Sequence, residues 1–215
     1  MNVKNLAKLS FLLFVVLSFS QCKKSNNNIL YNKQYIDEIK AAREDIIFYM
    51  SHNFIPGGTF AIAKEGEIIY SEGLGTASKD LEVPVTRETK FRVGQVSELF
   101  TLLIYYRFIE DGILHPDSTV QHYYPDFPEK KYEILIRHLA QQTSGLRLPK
   151  GDERDWRGLN ISLQRGINNF KNDSLAAPPG LYQARSKFNY NLLAAIMEKV
   201  TGEKYSELLK SYVTD

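Results

Sequence analysis

Residues 96–109 are apolar almost all round: Leu99, Phe100, Leu102, Leu103, Ile104, Phe108 and Ile109 leave no wide polar face. A helix with that surface needs cover on several sides, so the pattern predicts a helix in the middle of a core, with Phe100, Leu103 and Phe108 buried. The 215 residues are enough to build the surrounding layers. A hydrophobic share of 43% against 24% charged is that of an ordinary globular chain.

The other segments say what the layers are. Ile36, Ile39, Ile46, Ile47 and Met50 fall near helical spacing over residues 35–50 and predict an amphipathic first helix. Pro56-Gly57-Gly58 ends it. Two short β-rich runs at 59–63 and 68–70, separated by Lys64-Glu65-Gly66-Glu67, predict a hairpin with a glycine in its turn. Helical stretches follow at about 133–141, 162–169, 190–200 and 205–212, with turn-rich links such as Pro178-Pro179-Gly180. The expected fold class is mixed α/β, a helical lobe plus a short antiparallel hairpin.

The first 21 residues read as a secretory signal: Lys4 and Lys8, then an apolar run over 9–19 broken only by Ser10 and Ser18. That run is too short to span a bilayer comfortably. Cys22, the sole cysteine, follows at once and predicts a lipid-modified first residue of an exported bacterial lipoprotein, anchored in the cell envelope. Gln21, where a small residue is usual, departs from that pattern, and an ordinary cleaved signal or an uncleaved anchor is the alternative. Residues 22–34 are expected to be a polar tether, with the folded domain at 35–215. Apart from Lys4 and Lys8, the basic side chains equal the 25 acidic ones, so nothing favours nucleic acid as a partner. His52, His115, His122 and His138 lack metal-ligand spacing, and no metal or cofactor is expected. Trp156 is read either as a ligand-stacking residue or as packing.

Several segments, taken in order, resemble the serine β-lactamase and penicillin-binding-protein family, especially its class C and esterase-like branch. They are Phe91-Arg92-Val93-Gly94 with Val96-Ser97 and Leu99-Phe100-Thr101, then residues 109–114 and Tyr123-Tyr124-Pro125. Ile136-Arg137-His138-Leu139, Thr143-Ser144-Gly145-Leu146, Pro178-Pro179-Gly180 and residues 189–202 complete the set. The resemblance runs over about 35–213 and implies the N-terminal part of that fold, since the family's later strands and third motif have no counterpart before Asp215. A fragmentary record, a split or decayed gene, and a shortened protein that recruits a partner all remain open.

The resemblance also implies a chemistry: a serine opening the central helix, a lysine three residues on, and a Tyr-x-Asn pair facing them. By alignment with the flanking matches, those four places hold Gln95, Glu98, Arg185 and Lys187. An amide is no nucleophile and a carboxylate lacks the lysine's charge, so no intact catalytic residue is expected. Ser97 is either a displaced nucleophile or a polar residue of the first helical turn. The only Ser-x-x-Lys, Ser20 to Lys23, straddles the leader boundary. Reversal of charge at both faces predicts an ion pair from Glu98 to Arg185 or Lys187, with Gln95 beside it. The functional expectation is a non-catalytic, envelope-tethered serine hydrolase homologue that binds a cell-wall peptide or other small acyl ligand, or is regulatory. The rivals are an active hydrolase with substitute residues and a purely structural lipoprotein.

Overall fold

A computed structural model describes residues 28–154 and 162–214, which divide into two compact units with the boundary between Arg92 and Val93. The leader, Cys22 and Trp156 lie outside the described residues.

The first unit is one helix and a small antiparallel sheet. The α1 helix spans Ile36–His52, with Asp37 and Glu38 in its first turn where the exposed N–H groups favour acids. Strand β2 (Gly57–Lys64) turns through Glu65 and Gly66, both at positive φ (52° and 84°), into β3 (Glu67–Ser78). Two consecutive left-handed residues match the twist of a tight hairpin. The strands pair from Gly57 opposite Gly75 to Lys64 opposite Glu67, with a bulge between Ile62 and Ala63. Both run further than the alternation of apolar residues predicts, because ladder hydrogen bonds extend across Gly73 and Gly75, whose lack of side chains hides them from a hydrophobic pattern.

Residues 29–31, expected within a polar tether, form a strand. β1 (Ile29–Tyr31) pairs with the other edge of β3, giving the order β1-β3-β2, and β4 (Val83–Pro84) pairs with the end of β3. Asn28 donates to the carbonyl of Gly73 at 3.0 Å and accepts from the Arg87 N–H at 3.1 Å, which ties that residue into the first unit. Arg43 on α1 grips Glu72 of β3 through two bonds of 2.6 and 3.1 Å, and the Tyr70 hydroxyl donates to the same carboxylate at 2.7 Å. These groups hold Glu72, only 8% exposed, below the usual carboxylate range despite its burial.

The second unit is helical. It contains α2 (Val96–Glu110), α3 (Val120–Tyr123), α4 (Ile136–Ala140), α5 (Leu163–Asn168), α6 (Lys187–Thr201) and α7 (Tyr205–Leu209). The helix expected over 133–141 is only five residues long, since its first part is extended up to Leu135. The most buried helix is α6, not α2. Phe188, Asn189 and every residue of the run 192–197 are buried in α6, and α2, α4, α5 and α7 pack around it.

On α2 the expected burial holds for one face only. Ile104, Tyr105 and Phe108 are in the core, Phe100 is half-buried, and Leu103 is 49% exposed. Val96, Leu99, Leu103 and Tyr106 form an exposed apolar stripe along the opposite face. The sequence registers that both faces are apolar, but α6 and α7 cover one of them.

Candidate active-site cleft

A cleft of about 810 Å³ opens within the second unit. Its walls are the start of α2, the loop 149–154, α5, and the chain leading into α6. Gln95, Glu98, Arg185 and Lys187 all line it, together with Ser97, Tyr190 and Asn191.

Each position is set by local structure. Gln95 is the residue at which α2 begins, and its side chain caps nothing. The Ser97 hydroxyl is turned back onto the carbonyl of Gly94, in the manner of a polar first-turn residue. Glu98 is half-buried in the first turn of α2. Burial pushes its carboxyl above the ordinary value of 4.5, against the Arg185 charge and the Gln142 side chain, both of which favour the carboxylate.

Beneath the cleft, residues 142–147 are stitched to 184–190. The Gln142 carbonyl oxygen of the side chain accepts from the Ser186 N–H at 3.0 Å and from the Asn189 amide at 2.5 Å. The Ser144 hydroxyl donates to the other end of the Asn189 amide, and the Ser186 hydroxyl donates to the Arg147 carbonyl at 2.7 Å. This network fixes the backbone that carries Arg185 and Lys187. The Gln142 Nε2 is buried and completes no close hydrogen bond among the described residues, yet the Gln142 side chain is near enough to Glu98 to favour its carboxylate.

The expected ion pair is absent. Among the described residues Glu98 forms none, to Arg185 or to Lys187. Lys187 reaches instead to the carbonyl of Glu153, and to that of Arg154 at 3.3 Å, answering backbone acceptors at the end of the short 3₁₀ turn Gly151–Glu153. Arg185 is near enough for its charge to favour the Glu98 carboxylate, but bonds to it no more closely.

Sequence reasoning missed the residue that holds the loop wall. Arg147 donates to both carboxylate oxygens of Glu153 at 2.6 and 3.0 Å, bonds Asp173, and lies over the Phe188 ring. Phe188 in turn stacks on Phe170 at 4.3 Å. An arginine directly after Thr143-Ser144-Gly145-Leu146 carries no local signal of this role, because its partners lie 6 and 26 residues away. Thr101 and Tyr205, joined through their hydroxyls at 2.6 Å, also line the cleft unannounced.

The histidines do other work: His138 Nδ1 accepts from the Leu135 N–H at 3.2 Å at the start of α4, and His115 Nδ1 accepts from the Asp117 N–H. No group of three or more metal-ligating side chains occurs among the described residues.

The sequence matches the Beta-lactamase family over residues 38–215. This chain belongs to that family. Its β-lactamase-related domain is 27% identical over 229 residues to the human serine beta-lactamase-like protein LACTB, mitochondrial, with 74% of this chain and 42% of that one covered. Against protein flp of Staphylococcus aureus (strain MW2) it is 28% identical over 165 residues, 75% of this chain and 32% of that one. The chain thus spans less than half the length of these relatives. Among solved structures, FmtA from Staphylococcus aureus superposes with a TM-score of 0.70 at 22% identity, over 87% of this chain and half of that one, which shows the fold. A class C beta lactamase gives 0.65 at 26% identity, over 82% and 48%. EstCE1, described as a hydrolase with promiscuous acyltransferase activity, gives 0.62 at 30% identity, over 74% and 46%. The β-lactamase-related fold is therefore its N-terminal part, as a mixed α/β arrangement with a small antiparallel sheet.

The Glu98 environment carries a stability prediction. A carboxyl whose folded pKa is raised contributes stability that is present below pH 4.5 and lost as pH rises through the folded value. Glu98→Gln is expected to raise the melting temperature at pH 7 and to give a smaller gain at pH 4. A loss of stability at pH 7 would mean that attraction to Arg185 outweighs burial.

Proposed function

We propose that this β-lactamase-related, serine hydrolase-like chain is non-catalytic and acts by binding a small ligand in the α2–α6 cleft. The observation that carries the reading is the set of groups on the cleft wall. Gln95, Glu98, Arg185 and Lys187 stand at the positions where the family resemblance calls for the nucleophilic serine, its lysine and the Tyr-x-Asn pair. None of the four can form an acyl-enzyme through an activated hydroxyl. Ser97, the hydroxyl in the first turn of the same wall, is engaged with a backbone carbonyl and has Phe100, not lysine, one turn further on. Lys187 is taken up by the loop carbonyls, which leaves it unsuited to serve as a base.

The leader supports an exported, lipid-anchored location in a bacterial envelope. Cys22 would carry the lipid, and the polar residues after it would lead from the membrane to Asn28, which is bonded into the first unit. Cell-wall peptides or other small acyl compounds are the ligands such a location offers.

Intact mass of the purified chain after incubation with a fluorescent penicillin is the direct test. No adduct is expected. A stoichiometric adduct lost in Ser97→Ala would establish an active hydrolase instead. For the anchor, Cys22→Ala is expected to move the protein out of the detergent-extracted membrane fraction, and retention of a processed variant there would refute lipidation.

A further inference from the structure

Glu98 and Arg185 face the cleft near each other without forming an ion pair among the described residues. Glu98 has no ion pair, and the Arg185 guanidinium has neither an ion pair nor a side-chain hydrogen bond there. Of the other charges in the wall, Asp152 and Arg165 are exposed and form no ion pair among the described residues, while Glu153 and Lys187 are occupied. Glu153 is gripped by Arg147, and Lys187 is bound to backbone carbonyls. Glu98 and Arg185 are close enough to feel each other, and neither bonds the other.

The polar atoms around them are also unfilled. The Asn191 Oδ1 in the cleft wall is buried and accepts no hydrogen bond, and its amide is wedged over Gly166, where even a Cβ would come within 2.5 Å of it. It therefore cannot swing away to find a partner. Gln142, 4% exposed and pinned through its side-chain carbonyl, holds an unpartnered Nε2 behind Glu98. Buried polar atoms left without partners are uncommon, because each costs a desolvation that no bond offsets. Here one of them, the Asn191 Oδ1, belongs to the wall of a cavity large enough for a small molecule.

We propose that the cleft binds a ligand bearing both an ammonium and a carboxylate, of the free amino acid or peptide class, with the ammonium on Glu98 and the carboxylate on Arg185. The inference rests on the non-catalytic reading above and adds the chemistry of the ligand. A carboxylate held apart from a guanidinium is a socket for a zwitterion. Each end of the guest completes a charge-assisted bond that the protein leaves open, and the guanidinium can take its carboxylate through two parallel N–H donors. An anion alone would leave Glu98 uncompensated beside it. A cation alone would do the same to Arg185.

The test is binding to the intact chain, followed by chemical-shift perturbation and calorimetry. The zwitterions are glycine, β-alanine and glycylglycine, a series in which the two charges move apart. Propylammonium and propionate are the half-ligands. The tightest zwitterion is expected to bind at least about ten-fold better than either half, since each added charge-assisted bond is worth that much or more. Glu98→Gln should bring it down to the propionate level, and Arg185→Gln to the propylammonium level. Equal binding of zwitterion and half-ligand, insensitivity to either substitution, or no binding by any of the five would overturn the proposal. A penicillin adduct in the mass measurement would instead remove the non-catalytic reading, so the two failures are told apart by separate readouts.

Discussion

Replacing Gly145 by alanine is expected to destabilise the second unit by about 3–5 kcal/mol, combining the left-handed backbone cost with a forced shift of the packed chain. Gly145 sits at φ 73°, and a Cβ there would come within 2.0 Å of the Ala177 carbonyl oxygen. The contact cannot be relieved by a side-chain rotation, because both partners are backbone. They are also tied together, the Ala176 N–H donating to the Gly145 carbonyl at 2.8 Å. Any shift would propagate into Ser144 and through it to Asn189 and Gln142 under the cleft. Gly112 provides the control. It has nearly the same backbone, φ 70°, but nothing within 4 Å of the added atom. Gly112→Ala should cost only about 1 kcal/mol, the conformational part alone. Urea unfolding followed by far-ultraviolet circular dichroism separates the two, and equal losses at both sites would show that the approach to Ala177 carries no weight.

Arg147→Met should cost about 3 kcal/mol, because the replacement keeps a long apolar stem against Phe188 but strands the carboxylates of Glu153 and Asp173. Arg147 is only 14% exposed, which keeps its ion pairs from being fully screened, while Asp173 at 43% will recover part of its loss from water. The pH dependence has a definite sign. Hydrogen bonds from Arg147, and then from the Lys150 N–H, lower the Glu153 carboxyl to about 2. Its contribution is therefore present above pH 4.5 and is lost as pH falls toward 2. Wild type should lose stability through that window, and Arg147→Met should lose less. Denaturant titrations at pH 7, 4 and 2.5 measure both quantities. Parallel curves for the two proteins would mean that Glu153 is held by its backbone bond alone.

Arg147 also shows how the cleft is assembled. The loop 149–154 has little apolar content to hold it down, and it is fixed by polar contacts instead: Arg147 on the Glu153 side chain, Lys187 on the Glu153 and Arg154 carbonyls. Lys187 therefore serves the architecture of the wall. The charge change at that position is satisfied by backbone acceptors on the loop, and the ion pair to Glu98 that two opposite charges suggest does not form. Which acceptor a flexible lysine finds is a matter of what the fold brings within reach, and here it finds carbonyls at the end of a 3₁₀ turn.

The sequence by itself determined the family, the class of fold, the hairpin at its glycine turn, and the positions at which Gln95, Glu98, Arg185 and Lys187 stand. All of these are local: a motif, a periodicity or a turn is written in neighbouring residues, and its physics acts over one or two turns of chain. Even the convergence of the four positions on one cleft follows from the resemblance, because their spacing within each motif places them on a helix start and on the segment entering α6. What only the tertiary structure decided depends on who meets whom. The short strand β1 exists because the far edge of β3 needed a partner. The α2 helix buries Ile104, Tyr105 and Phe108 while Leu99 and Leu103 stay exposed, since helices of the second unit cover one face and hydrophobicity alone does not say which. Arg147, Gln142 and Asn191 became part of the site through partners distant in sequence. Charge, hydrogen bonds and close packing act over a few ångströms in space, and the fold alone sets which residues come that near.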